Sequence, residues 1–195
     1  MDTNSKSLRL EQLYNKYSIE FAGEELVFGD GNCESGIVMI GEAPGKDEVL
    51  QGRPFVGLAG GKLRQFMDYI CLTREDLYVT NAIKYRLFKI NPKTNKKSNR
   101  PAKSKEIKSS MAYLAEELKV LETKLVITLG NVPLKAVTSD FKTTIGEVHG
   151  RVLESHGMRI FPLYHPASLI YNKNLENTYF EDLDKLKKVI KEIKS

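Results

Sequence analysis

Four short runs of apolar residues alternate along this chain with segments of helical spacing. The runs cover 37–41, 77–81, 125–129 and 159–162. Strands that are almost continuously apolar are buried on both faces, which is typical of a parallel sheet with helices on either side. The sequence therefore predicts an α/β protein, a three-layer α/β/α sandwich around a central four-stranded parallel sheet.

The segments between these runs have the periodicity of amphipathic helices. Apolar residues at steps of three and four are typical of a helix with one buried face. They predict helices over 8–17, 61–71, 107–121, 131–138 and 177–193, with an irregular strand or hairpin over 143–154. No repeat or domain boundary interrupts this order, so we expect residues 1–195 to form a single domain.

Positive charge is concentrated in one segment, 84–108. It contains ten Lys or Arg residues and one acid, for a net charge of +9, whereas the rest of the chain has 20 bases and 24 acids. Such a segment is typical of polyanion binding, although a solvated loop without a partner has the same composition. We expect 88–98 to be mobile or disordered. The candidate DNA contacts in this segment are Lys84, Arg86, Lys96, Lys97 and Arg100.

Composition excludes several classes of protein. Cys33 and Cys71 form neither a disulfide framework nor a zinc-ligand pattern, which favours a reducing cytoplasm. No apolar stretch approaches the roughly 18 residues that span a bilayer, and no apolar segment follows the N-terminus as in a secretory signal. We therefore expect a cytoplasmic monomer with no membrane partner.

The first predicted strand leads into the turn Gly41-Glu42-Ala43-Pro44-Gly45. The carboxyl end of a parallel sheet is where α/β proteins bind ligands. Gly41 and Gly45 permit close approaches that a side chain would block, Pro44 fixes one dihedral angle, and the Glu42 carboxylate can reach a ligand. Because tight turns often have this composition for geometry alone, the segment indicates a site only together with other groups.

Three such groups are expected at the same edge of the sheet. Asn81 ends the second predicted strand, His165 follows the fourth, and Phe55 lies in a loop bounded by glycines. The Asn amide matches the N3–H and O4 edge of a pyrimidine, the Phe ring offers a stacking face, and the His can donate to a carbonyl oxygen. Together they predict a pocket for one extruded pyrimidine base. Taken singly, each residue also has a structural interpretation, as a turn cap, a core aromatic or a loop residue.

This order of motifs resembles the uracil-DNA glycosylase superfamily, and family 4 most closely. The resemblance runs from about residue 8 to residue 190 and is carried by the segments 27–32, 41–45 with Glu48, 52–57, 80–84, 99–101, 126–130 and 165–167. It implies an α/β/α sandwich that excises uracil from DNA, so that uracil-containing DNA is the expected partner.

The resemblance also implies roles for particular residues. Phe55 would stack on the base, Asn81 would read its edge and His165 would bond its O2. The catalytic set expected on this basis is Glu42, Glu48, Asn81 and His165. The expected base pocket is Gly41, Ala43, Pro44, Gly45, Phe55 and Asn99. Ala167, Ser168 and Leu169 would enter the DNA minor groove, with Leu169 as the wedge.

One departure from family 4 concerns its cofactor. Members usually hold an iron–sulfur cluster on four cysteines, and the matched positions here are Tyr14, Tyr17, Tyr85 and Ser110. None of these supplies a thiolate, so we expect no cluster, metal or other cofactor. The three tyrosine rings are expected to fill the vacated volume.

The expected reaction is hydrolysis of an N-glycosidic bond, with His165 stabilising the uracil anion as it leaves. Ala43 stands where some superfamily members have an Asp, so the residue that positions water is open between Glu42 and Glu48. Three alternatives also remain open: a non-catalytic nucleic-acid binder, a hydrolase of free nucleosides or nucleotides, and a glycosylase for another deaminated base such as hypoxanthine or xanthine.

Overall fold

Six strands form the main sheet of the computed structural model, which describes residues 3–194. The strands are β1 (Asp30–Gly31), β2 (Ile37–Gly41), β3 (Tyr78–Asn81), β4 (Phe88–Ile90), β5 (Lys97–Asn99), β6 (Leu125–Leu129), β7 (Leu153–Ser155) and β8 (Met158–Leu163). The main sheet has the order β1-β3-β2-β6-β8-β7, and β4 and β5 form a separate hairpin.

Eight helices surround the sheet within the described residues. They are α1 (Thr3–Glu20), α2 (Lys46–Gln51), α3 (Leu58–Tyr69), α4 (Ser104–Val120), α5 (Asn131–Thr138), α6 (Ile145–Val148), α7 (Ser168–Tyr171) and α8 (Glu176–Lys194). Short 3₁₀ turns cover Arg74–Asp76 and Lys173–Leu175. No helix in residues 3–194 is long and apolar enough to cross a membrane.

The predicted α/β fold is confirmed. The four central strands β3, β2, β6 and β8 are parallel, with Met39 opposite Val79 on one side and Ile127 on the other. The edge strands β1 and β7 are antiparallel to their neighbours. β1 was not predicted, and β7 overlaps only the end of the irregular strand or hairpin expected over 143–154. Strands of two or three residues are too short to show a periodicity.

The two faces of the sheet carry separate apolar cores. Ile37 and Met39 of β2 pack in a core with α3 and α8. Val38 and Ile40, which alternate with them, pack in a core with α1 and α4. The strand is buried on both faces because successive side chains point in opposite directions, and this explains its unbroken apolar sequence.

The prediction that 88–98 is mobile or disordered is wrong, because β4 and β5 pair there as a hairpin. The Asn91 side-chain oxygen accepts hydrogen bonds from the Lys93 and Thr94 backbone N–H groups, which forms the turn. The Lys97 ammonium lies 4.1 Å from the centre of the Phe88 ring. A polar composition therefore concealed a structured turn.

The segment 143–154 also differs from its prediction. Residues Ile145–Val148 form a helical turn rather than a strand, and only Leu153–Ser155 is extended. Thr144 and Glu147 form a capping box, in which both the backbone N–H and the hydroxyl of Thr144 donate to the Glu147 carboxylate at 2.8 Å. The Thr-x-x-Glu spacing is the signature of a helix start and was present in the sequence.

Candidate active site

A cavity of about 410 Å³ opens at the carboxyl edge of the parallel strands. Phe55, Asn81 and His165 all line it, although they come from three separate parts of the chain. The prediction that they share one cavity is confirmed. The position agrees with the rule that open α/β sheets bind ligands beyond the carboxyl ends of their strands.

The main chain of Phe55 has an uncommon conformation, with φ = 55°. Left-handed backbone is costly for a residue with a side chain and needs support from its surroundings. Arg74 gives this support by donating to the Pro54 carbonyl at 2.6 Å and to the Phe55 carbonyl at 3.2 Å. The Phe55 ring is thereby held 6.3 Å from the His165 ring, with 28° between their planes. A flat group can be stacked against a wall fixed in this way.

Gly41 makes room for two of the cavity residues. A Cβ atom at Gly41 would lie 2.4 Å from Phe55 Cζ and 2.5 Å from Asn81 Oδ1. Any side chain at this position would displace the ring, the amide or both. The glycine that ends β2 is thus a geometric requirement of the pocket.

The protonation of His165 follows from its contacts. Its Nδ1 accepts a hydrogen bond from the Ala167 backbone N–H at 3.1 Å, and burial lowers the pKa of the imidazole. A neutral ring with Nδ1 as acceptor carries its proton on Nε2. The Ser168 N–H and hydroxyl donate to the His165 carbonyl at 2.8 and 2.6 Å, which holds the turn in place. His165 therefore has one N–H for a ligand in the cavity.

Glu48 joins the two loops that form one side of the cavity. Its Oε1 accepts hydrogen bonds from the backbone N–H groups of Val56 and Gly57 at 3.1 and 2.9 Å, and its Oε2 accepts from that of Gly45 at 3.1 Å. The carboxylate lines the cavity. Four lone-pair sites are present and three are used, so one acceptor site on Oε2 is left.

The Glu42 carboxylate is directed toward the segment before α4. Its Oε1 accepts a hydrogen bond from the Ala102 backbone N–H at 2.7 Å, and burial raises the pKa of the carboxyl group. Of the other turn residues, Ala43 and Gly45 line the cavity, while Pro44 is buried. Glu42 thus connects the turn to α4.

Asn99 reaches the cavity from the end of β5. Arg86 Nε donates to Asn99 Oδ1 at 3.0 Å. Since a guanidinium can only donate, this bond fixes which way the amide faces. A Cβ atom at Gly45 would lie 3.1 Å from Asn99 Nδ2, so Gly45 leaves room for the amide. The hairpin that sequence analysis described as mobile therefore contributes a side chain to the site.

The predictions for Lys84 and Arg86 as DNA contacts are wrong, because both side chains are buried and paired within the protein, whereas that for Arg100, whose side chain is 25% exposed, stays a prediction. Lys84 is 2% exposed and pairs with Glu117 at 2.6 Å. Arg86 is 7% exposed and pairs with Glu25 at 3.3 Å. Arg100 binds Glu106 through two nitrogens. Burial lowers the pKa of Lys84, and the Glu117 carboxylate opposes this shift.

The remaining basic residues differ in their surroundings. Lys97 is partly exposed and pairs with Glu25 at 2.6 Å. Lys96 is exposed, as are Lys89 and Lys93 on the same hairpin. These exposed ammonium groups remain candidates for contact with a polyanion.

The assignment of Leu169 as a wedge is also wrong, because Leu169 is 8% exposed and belongs to the core under the cavity. The neighbouring Ile170 and Tyr171 line the cavity and are 45% and 88% exposed. Ala167 lines the cavity as well. Residues 168–171 form a helical turn, in which position 169 faces inward. To predict Ile170 and Tyr171 from the sequence, this helical turn would first have to be recognised.

Further cavity residues were missed in the sequence, among them Asp47 and Leu58. Asp47 precedes Glu48 on α2, and a Cβ atom at Gly57 would lie 3.1 Å from its Oδ2. Leu58 begins α3 and is 85% exposed at the cavity. Both are adjacent to predicted motif residues, but their orientation depends on where two short helices begin.

The four positions matched to cluster cysteines carry hydroxyl groups in place of thiols. The Tyr17 hydroxyl lies 3.2 Å from Ser110 Oγ, and the Tyr17 ring stacks on Phe21, which in turn stacks on Tyr85. Hydroxyl groups are not the thiolates that such clusters require. No group of three or more His, Cys, Asp or Glu suited to a metal occurs in the described residues. These residues do not fit the cluster, and its expected absence stays a prediction that iron analysis tests.

The fold and cavity define an α/β protein with a small, partly polar pocket at the carboxyl edge of a parallel sheet. The chain belongs to the uracil DNA glycosylase superfamily, whose family model matches residues 28–191. It is 34% identical over 165 residues to a type-4 uracil-DNA glycosylase of Archaeoglobus fulgidus, covering 81% of this chain and 78% of the relative. It is 30% identical over 169 residues to that of Thermotoga maritima, covering 85% and 83%. The resemblance seen in the motifs is thus confirmed.

Proposed function

We propose that this protein hydrolyses the N-glycosidic bond of uracil flipped out of DNA. The observation that carries the proposal is the shared cavity of Phe55, Asn81 and His165. The similarity to relatives named uracil-DNA glycosylases supports the same reaction and DNA as the substrate.

Base selection would depend on the Asn81 amide. It can donate to O4 of uracil and accept from N3–H, while the Phe55 ring stacks on the base. Cytosine has an amino group at C4 and no proton on N3, so the same amide orientation faces a donor with a donor and an acceptor with an acceptor. A site built for one hydrogen-bonding pattern disfavours the other because buried polar groups are left unpaired.

Bond cleavage would depend on His165. As the bond between C1′ and N1 breaks, its electron pair moves onto uracil, and the Nε2–H of the neutral imidazole donates to O2 of the forming anion. The sugar becomes oxocarbenium-like and is captured by water, which loses a proton. The products are uracil and an abasic site.

For the water we propose Glu48 in preference to Glu42. Glu48 is among the residues that line the cavity and its Oε2 has an acceptor site left, whereas Glu42 is not among the lining residues and its Oε1 binds Ala102 before α4. An oxocarbenium needs only weak help from a nucleophile, so orientation by one hydrogen bond is sufficient. Glu48 also holds Gly45 and Gly57, and its substitution would therefore alter the pocket as well.

DNA contact would combine the exposed hairpin lysines with an apolar pair at the cavity. Lys93 and Lys96, which are exposed, would contact phosphates, and the exposed Ile170 and Tyr171 would take the place predicted for Leu169 beside the flipped nucleotide. We also propose that the chain acts as a monomeric single domain in the cytoplasm, which its two free thiols favour.

Incubation with matched oligonucleotides, containing uracil, cytosine or hypoxanthine at one position, tests the proposal. Alkaline treatment then cleaves any abasic site. We expect cleavage of the uracil strand and none of the cytosine strand. Binding without base release would instead identify a non-catalytic DNA binder, and release of hypoxanthine in place of uracil would identify a glycosylase of different specificity.

A further inference from the structure

The Lys84 ammonium lies directly behind the base-reading residue. Its Nζ donates to three acceptors, Thr80 Oγ1, the Asn81 main-chain carbonyl and Glu117 Oε2, each at 2.6 Å. An ammonium has three donors, so all of them are used inside the protein. These three hydrogen bonds therefore hold the charge at the end of β3.

The path of the chain explains why a side chain is needed there. The edge strand β1 pairs with Tyr78 and Val79 of β3. Beyond that pairing, the Lys84 side chain donates to the Asn81 main-chain carbonyl. After Asn81 the chain continues along the turn after β2, with Ala82 N–H donating to the Gly41 carbonyl at 2.8 Å. Lys84 N–H donates to the Tyr17 hydroxyl at 3.1 Å, which holds the main chain of Lys84. From there its ammonium reaches back to Asn81.

The other side of Asn81 faces the cavity. Its Oδ1 lies 2.5 Å from where a Cβ atom of Gly41 would be, and the residue is 4% exposed. The amide thus has little free space around it, and a small movement of the Asn81 main chain displaces it. Misplacing a reacting group by about 1 Å can cost a large part of a rate.

We infer that Lys84 is a positioning residue, which holds the Asn81 carbonyl and so sets where the Asn81 amide enters the cavity. The inference rests on the proposed function and adds to it a residue that touches neither base nor DNA. Glu117 makes the arrangement possible, because a buried ammonium without a counter-charge is strongly disfavoured. Tyr14 and Thr80 donate to Glu117 Oε1, whereas Lys84 binds Oε2.

The experiment removes the Lys84–Glu117 ion pair in two backgrounds, the wild-type protein and the Asn81→Ala variant. Lys84→Met with Glu117→Gln eliminates both buried charges, so neither is left unpaired. We expect single-turnover uracil release to fall about tenfold, the order of one buried hydrogen bond. In the Asn81→Ala background we expect the same pair of substitutions to change the rate less than about twofold, because residues that act through one another are not additive.

The matched control is Tyr14→Phe, which removes a hydrogen bond to Glu117 Oε1, whereas Lys84 binds Oε2. It should lower stability and leave the rate unchanged. Equal losses of rate with and without Asn81, or a similar loss in Tyr14→Phe, would overturn the inference. If the variant does not fold, Lys84→Met with Glu117→Met replaces it. A chain that folds only with the ion pair intact also counts against a positioning role.

A second measurement separates this inference from the proposed function. The ¹H–¹⁵N signals of the Asn81 side-chain amide, recorded with free uracil as the probe, should shift in the double variant and remain in place in Tyr14→Phe. A wild-type protein that releases no uracil contradicts the proposed function alone. Unchanged Asn81 signals in the double variant contradict the positioning role alone.

Discussion

Two groups of polar side chains lie on either side of the end of β3, and they differ in how far their hydrogen bonds are completed. The Glu117 cluster, which consists of Tyr14, Tyr78, Thr80, Lys84 and Glu117, is closed. Glu117 is 0% exposed, and its two oxygens accept from Tyr14, Thr80 and Lys84. The Tyr78 hydroxyl lies 2.6 Å from that of Tyr14. In the cavity, by contrast, the Asn81 amide and the His165 Nε2–H have no hydrogen-bond partner among the described residues.

The difference shows how one fold uses similar groups for stability and for binding. Polar groups that are buried and fully paired hold elements together, here α1, α4 and β3. Polar groups that are fixed in position without a protein partner lower the stability of the fold, but they are available to bind a ligand. Asn81 belongs to both groups. Its main-chain carbonyl accepts a hydrogen bond from Lys84 on the closed side, that of the Glu117 cluster, and its side-chain amide lies on the open side, that of the cavity.

The largest effect is expected from breaking the closed side. Glu117→Ala leaves the Lys84 ammonium buried without its counter-charge, which typically costs about 3–5 kcal/mol in the free energy of unfolding. Chemical denaturation measures it. The matched control is Glu116→Ala, at an exposed neighbouring position. A loss below about 1 kcal/mol, the range of a surface pair, would show that the cluster is not closed.

The next effect is on the open side. His165→Ala removes the donor to the leaving uracil, so single-turnover release should fall by about 10²–10³, the range for one oxyanion donor. The denaturation midpoint should change much less than in Glu117→Ala. His156→Ala, at an exposed turn, serves as the control. Near-normal release by His165→Ala would remove His165 from the mechanism.

The third effect is a dependence on pH. Burial lowers the pKa of His165 below 6.5, so the native protein binds this proton less readily than the unfolded chain does. Stability from this group is therefore present above pH 6.5 and is lost as the pH falls through and below that value. NMR titration should show His165 as the Nε2–H tautomer at pH 7. A midpoint at or above 6.5 would contradict the burial of the ring.

The smallest effect concerns lysines outside both groups. Lys93→Gln with Lys96→Gln should leave stability unchanged and flatten the salt dependence of DNA binding by about 0.9 for each phosphate that is no longer neutralised. Lys188→Gln with Lys191→Gln, on α8, is the control. Lys84 has the same side chain as these lysines, but it is buried and is therefore not available to phosphate. Salt dependence that does not change in the hairpin variant would show that these exposed charges do not bind phosphate.

Sequence patterns predicted the central sheet and the longer helices well. The apolar composition of runs such as 125–129 predicted that they are buried. The regular spacing of apolar residues along α4 predicted which face of the helix packs inward. The ends were less certain: α1 begins at Thr3 and ends at Glu20, beyond the predicted 8–17. Exposed helical turns carry few apolar residues, so periodicity alone does not reveal them.

The candidate site was predicted in part. Phe55, Asn81 and His165 were found because strand ends and glycine-bounded loops converge at one edge of a parallel sheet. The resemblance implied Leu169 as the wedge, yet the short helix α7 turns it inward. Asp47 and Leu58 were missed for the same reason, since the direction of a side chain on a short helix depends on its first residue.

The sequence by itself determined the parallel sheet and three residues of the pocket, Phe55, Asn81 and His165, because these depend on local order: apolar runs and the residues that follow them. Only the tertiary structure decided which charges face a ligand. Lys84 and Lys96 belong to one basic segment, but Glu117 on α4 makes one of them internal and the other remains exposed. Burial of a charge depends on a counter-charge that is distant in the sequence, and no local pattern contains that information.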